Sequence, residues 1–160
     1  MRLIFEEMNI DSAWEILKSA KNEIVSIANK SKYKKCRALF YVTAFKSSEN
    51  CMGYVVGIGV YNPLLKQRET VFDETIYYDG DTDRVEIISH GKNGKSSYPS
   101  SDIEFVVNDL VDRVKDCADR AVITYEEQKQ VRQYIDKVKE YRMRGKKYEE
   151  EPPEFIHNYI

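Results

Sequence analysis

Histidine is nearly missing from this chain, which carries only His90 and His157. Cysteine is almost as scarce: Cys36, Cys51 and Cys117 are odd in number and widely spaced, so neither a disulfide framework nor a CxxC metal site can be read. The catalytic signatures HExxH and GxSxG are absent, as is any Cys–His nucleophile pattern. No apolar run approaches the roughly 20 residues that a membrane-spanning helix needs. With 7 Gly and 4 Pro in 160 residues, collagen-like repeats and long disordered tracts are excluded too. Charge of one sign is also lacking. The 25 basic and 27 acidic residues leave a formal net charge of −2, so no overall field draws nucleic acid or an anionic membrane. The first residues, MRLIFEE, meet acid too soon for a secretory signal. Three unpaired thiols suit a reducing compartment, and the expected location is the cytoplasm. No metal and no cofactor are expected.

What is present suffices for one core, since 42% of the residues are apolar. Three helices are expected. Ser12 and Glu15 have the spacing of a capping box, in which each side chain satisfies the other's orphan backbone donor. Trp14, Leu17, Ile24 and Ile27 follow at helical spacing, predicting a helix over 12–30. Ser101 and Glu104 form a second box, followed by the apolar band Ile103, Val106, Val107, Leu110, Val111, Val114 and Cys117. Thr124 and Glu127 form a third, and Gly145 is a natural stop for the helix they open.

Between the first two helices the period changes. Residues 37–45 (RALFYVTAF) and 52–61 (MGYVVGIGVY) are apolar on both parities and read as interior strands buried on both faces. Residues 70–78 and 84–90 form a further hairpin. A four-residue loop, 80–83, sets Tyr78 opposite Val85 and Ile76 opposite Ile87; it also sets Tyr77 opposite Glu86, Thr75 opposite Ile88 and Asp73 opposite His90. The expected fold is therefore α+β: one N-terminal helix, a four-stranded antiparallel meander, two C-terminal helices and an extended C-terminal tail. Residues 1–147 make a single domain, and 148–160 an acidic, proline-containing linker with an apolar end.

Several groups of residues invite a chemical reading, and each has an ordinary counterpart. Gly53, Gly57 and Gly59 share one parity of a strand. They suggest the floor of a binding groove, or else close packing by a helix or neighbouring aromatics. Residues 90–96 (HGKNGKS) lie where a phosphate loop would sit, but Ser89 stands where its first glycine belongs, so an exposed Asn93-Gly94 turn is the plainer account. Asp79, Asp81 and Asp83 alternate like a calcium loop, yet Arg84 and His90 occupy the positions of its glycine and glutamate. His90, facing Asp73 with Glu86 nearby, is a candidate acid–base group without a nucleophile or metal partner; a solvated cross-strand pair is the plainer account.

Two basic clusters, at 30–37 and 137–147, carry Lys32, Lys34, Lys35 and Arg37 in one and Lys139, Arg142 and Arg144 in the other. They suit phosphate contacts, although cations at helix C-termini are favoured by the helix dipole alone. In the tail, Pro152 and Pro153 impose extension, and Phe155, Ile156, Tyr159 and Ile160 put apolar side chains where a frayed end is usual. These residues are expected to dock on their own domain or on a neighbouring chain.

The expected function is that of a small cytosolic, non-enzymatic protein-interaction domain: an inhibitor, accessory or immunity-type protein. An excess of Lys over Arg with many Ile, Tyr and Asn suggests a low-GC bacterium or its phage. Its partner is another protein or a second copy of itself. Tyrosine abundance suits such a role, because the side chain joins apolar area to a hydroxyl. Two alternatives stand beside it: a nucleotide- or nucleic-acid-binding accessory protein using the basic clusters, and an enzyme using His90, Asp73 and Glu86.

Overall fold

The computed structural model describes residues 8–92 and 94–160. In chain order the elements are α1 (Ile10–Ala28), α2 (Ser31–Lys35), β1 (Leu39–Ser48), β2 (Cys51–Asn62), β3 (Gln67–Asp79), β4 (Arg84–Ser89), β5 (Gly94–Pro99) and α3 (Ile103–Met143). Short 3₁₀ turns occupy His90–Lys92, Ser100–Asp102 and Glu154–Asn158. No described helix is long and apolar enough to cross a membrane.

The five strands form one antiparallel sheet in the order β1-β2-β3-β4-β5. Both long helices lie on the same face and touch each other. α1 buries Ala13, Leu17, Ala20, Ile24 and Ile27; the first half of α3 buries Ile103, Val106, Leu110, Val114 and Ala118. Against them the sheet sets Tyr54, Val56, Ile58, Ile76, Tyr78 and Val85. Tyr54 closes the core with its hydroxyl satisfied, donating to the Leu17 carbonyl at 2.9 Å. The helix-covered face is thus the even positions of β2, the even positions of β3 from Phe72 to Tyr78 and the odd positions of β4; a bulge at Val71 brings Glu69 and Gln67 opposite Val60 and Asn62 on that face.

The β3–β4 hairpin has the register that its apolar pattern requires: Tyr78 faces Val85, Ile76 faces Ile87, Tyr77 faces Glu86 and Thr75 faces Ile88. The Asp73–His90 pair does not form. β4 ends at Ser89, opposite Glu74, and the chain turns into 3₁₀ at His90.

The expectation of four strands and two C-terminal helices is corrected to five strands and one long helix. The extra strand, β5 (GKSSYP), pairs with β4 along its whole length. It is polar and mostly exposed, so it has none of the β-branched alternation that marks a strand in sequence. Asn93, half of the expected turn, lies outside the described residues, as do residues 1–7 of the expected domain.

The two expected helices are one, 41 residues long. That is about 60 Å at 1.5 Å per residue. A Thr-x-x-Glu motif begins a helix only where the backbone leaves helical geometry, and between 103 and 143 there is no glycine or proline to make it do so. The other two boxes shift as well. α1 starts at Asn9, whose side chain accepts from the Ser12 amide at 2.9 Å. α3 is preceded by a 3₁₀ turn, and its N-cap Asp102 makes no side-chain cap bond.

A third correction concerns β1. Its apolar residues on both parities predict an interior strand, but it stands at the edge of the sheet, while β2 is interior.

Candidate functional site

Away from the helices, the sheet's other face splits into two halves. The β1–β2 half carries Leu39, Tyr41, Thr43 and Phe45 from β1 and Gly53, Val55, Gly57, Gly59 and Tyr61 from β2. The β3–β5 half carries Asp73, Thr75, Tyr77, Asp79, Arg84, Glu86 and Lys95, with opposite charges interleaved. Leu39 is 54% exposed and Tyr41 41%. Both belong to β1, the strand at the edge of the sheet.

The three glycines sit beneath this aromatic layer in different ways. A side chain at Gly57 would overlap the end of the Tyr41 ring and its hydroxyl, which lie over that backbone. At Gly53 a Cβ would collide with the Ile76 carbonyl and approach Tyr77 Cβ to 2.5 Å. Phe45 and Tyr77, which flank Gly53 in register, hold their rings 6.5 Å apart. At Gly59 the nearest atom is the Glu69 carbonyl oxygen, 3.9 Å away. Of the three, Gly53 and Gly57 are roofed by the chain's own aromatics, and Gly59 is open.

The two edges of the sheet are unlike. β5 is six residues long, carries Lys95, ends in Pro99 and is polar throughout apart from Tyr98, all devices that discourage another strand from pairing. β1 is ten residues long (LFYVTAFKSS), with one charge, Lys46, near its end and an irregularity confined to Lys46–Ser48. Among the described residues nothing hydrogen-bonds to its outer edge.

No family model, curated protein or solved structure matches this chain.

No hydrogen bond or ion pair joins the three positions considered for acid–base chemistry to one another among the described residues. His90 Nε2 lies 2.7 Å from Thr75 Oγ1. Glu86 is buried; it accepts from Ser97 at 3.0 Å and faces Lys95 at 3.8 Å. Asp73 stands on the outer face opposite Gly57, where it adds to burial in pushing the Tyr41 pKa up; the next residue, Glu74, lines a cleft of about 290 Å³ on the α3 side with Lys92, Arg113, Cys117 and Arg120.

The strongest polar contact in that cleft went unforeseen. Arg113 on α3 pairs with the buried Glu74 and, at 2.8 Å, with Asp109 one turn earlier. It lies over the Phe72 ring, 6.0 Å from the centroid. This partly buried ion pair links helix to sheet. No periodicity foretells it, because Glu74 sits on the core face of a strand. The Cys117 thiol donates to the Val71 carbonyl at 3.4 Å, and burial pushes its pKa up, the reverse of what a nucleophile needs. Among the described residues no three His, Cys, Asp or Glu converge as metal ligands.

The basic clusters are partly spent within the fold. Lys32 pairs with Asp119 at 2.8 Å, Arg37 lies 4.6 Å from the centre of the Tyr61 ring, and Arg144 pairs with Glu140 at 2.9 Å. Lys34, Lys35, Lys139 and Arg142 are exposed, with no ion pair among the described contacts.

The tail folds back along the second half of α3. Tyr148 sits against Tyr141 and Tyr134, with ring centres 4.9 and 5.8 Å away. Tyr159 donates to Glu127 Oε2 at 2.9 Å. Glu127, one half of the supposed cap, thus holds the tail. Phe155 and Ile156 are half-buried, whereas Ile160 is 74% exposed.

Proposed function

We propose that this chain is a non-enzymatic protein-interaction domain that binds another polypeptide through the free edge of β1 and the apolar half-face beside it. One observation carries the reading: a strand with the composition of an interior strand stands at an edge, while the opposite edge is blunted. An unpaired edge offers a row of amides and carbonyls, and an added strand satisfies them while its side chains settle on the neighbouring face. Leu39 and Tyr41 supply the apolar area for that second contact. An inhibitor, accessory or immunity-type protein of a low-GC bacterium or its phage is the role this surface suits. Among the described residues no hydrogen bond or ion pair joins His90, Asp73 and Glu86 to one another, which favours binding over chemistry.

The test is site-specific photo-crosslinking inside the host cell. A photoreactive phenylalanine at position 41 should yield a covalent polypeptide adduct, and one at Ser97 on β5 should yield none. Absence of any polypeptide adduct at 41, or equal yields at both positions, overturns the reading.

A further inference from the structure

We infer that the occupant of the β1 edge is the β1 edge of a second copy of this chain. The two strands run antiparallel about a two-fold axis at Thr43, joining both sheets into one. This rests on reading that edge as an interaction surface.

The first argument is register. Residues directly opposite in an antiparallel pair must share a face, so a two-fold axis between identical strands falls on a residue. At Thr43 it uses nearly all of β1, from Leu39 to Ser47. It places Tyr41 of each copy opposite Phe45 of the other and Thr43 opposite its own counterpart. Aromatic pairs and Thr–Thr pairs are among the cross-strand combinations that stabilise sheets. An axis at Val42 sets Tyr41 opposite Thr43 instead, loses both aromatic pairs and shortens the ladder.

Charge supplies the second argument. Lys34, Lys35 and Arg37 stand exposed just before β1. At the other end are Glu49 and the β3–β4 turn. Gly80 donates to the Asn50 carbonyl at 2.6 Å and Asn50 to Asp81 at 3.2 Å, which draws Asp79 and Asp81 to that end. Lys46 tempers but does not reverse this acidity. Antiparallel pairing carries the basic end of each copy to the acidic end of the other, twice; a parallel pairing would set like charges together.

Thr43 is exposed, so charged residues there leave the monomer's fold intact. The experiment is sedimentation equilibrium of the full chain as wild type, Thr43→Lys, Thr43→Glu and an equimolar mixture of the two variants. The wild type should dimerise, and less tightly as salt rises. Each variant alone sets like charges opposite each other and should weaken the dimer about tenfold or more. The mixture should recover the affinity by pairing Lys with Glu, with unaltered circular dichroism throughout. A wild type that stays monomeric, a dimer indifferent to both charges, or a mixture that fails to recover overturns the self-pairing. A monomeric wild type whose position-41 adduct has the mass of a different polypeptide removes only the self-pairing and leaves the edge as a docking surface.

Discussion

Replacing each of the three β2 glycines by alanine separates space from strand propensity, because one added methyl meets three different surroundings. At Gly53 the methyl collides with the Ile76 carbonyl and the Tyr77 backbone, neither of which can turn away without disturbing the β2–β3 ladder. Overpacking of that kind costs about 2–3 kcal/mol, which in a chain of this size lowers the melting temperature by roughly 4–10 °C. At Gly57 the obstacle is the Tyr41 ring, the far end of a side chain on an exposed strand, which can swing aside. Losing its contact with the backbone offsets the propensity gain, so stability should stay within about 1 kcal/mol of wild type. At Gly59 nothing lies closer than 3.9 Å and φ is not positive, so alanine should stabilise by about 0.5–1 kcal/mol. Urea unfolding of the three variants, compared by midpoint at constant m, gives the order Gly59→Ala above wild type, Gly57→Ala near it and Gly53→Ala well below. A Gly59→Ala variant as unstable as Gly53→Ala would refute the register and the placing of the aromatics. Gly57→Ala should also displace the photoreactive side chain placed at position 41 and change its crosslinking yield without unfolding the domain.

Two further expectations concern α3. In a continuous helix, Tyr125→Pro removes an interior hydrogen bond and costs about 3 kcal/mol beyond Tyr125→Ala; were Thr124 a true cap, proline at the next position would be tolerated, and urea midpoints distinguish the cases. The Lys32 ammonium and the Tyr33 hydroxyl hold the Asp119 carboxyl below its usual pKa of 3.8. That contribution is therefore full above pH 4 and fades as pH falls through the depressed value. With Asp119 40% exposed, it is worth at most about 1 kcal/mol after screening. Asp119→Asn should flatten the acid limb of stability between pH 4 and 2, and an unchanged limb would remove Asp119 from the account.

What could be read in advance follows from which physical signals are local. The β3–β4 register was legible because a slip would expose Ile76 and Val85 together. α1 and the core stripe of α3 were legible because burial on one side imposes a 3.6-residue period. β5 was not, since an edge strand exposed on most of its surface has no apolar pattern to display. The break expected at Thr124 shows the limit of cap motifs: Thr-x-x-Glu presents two polar groups on one helix face wherever it occurs, and here Tyr159 uses one of them. Arg113–Glu74 joins residues 39 apart in sequence and leaves no periodic trace.

The candidate site lies in the gap between what composition specifies and where topology puts it. The composition of β1 dictates that both its faces prefer company, and that much is local. Whether a strand is central or terminal depends on what its neighbours leave unpaired, which no window of ten residues contains. For β5 the two levels agree: a polar, charged, proline-ended strand stands at an edge. For β1 they disagree. Consistency between local preference and global position is the ordinary condition of a folded chain, and departures from it gather where a protein does something besides fold. An added strand would restore agreement by making β1 interior.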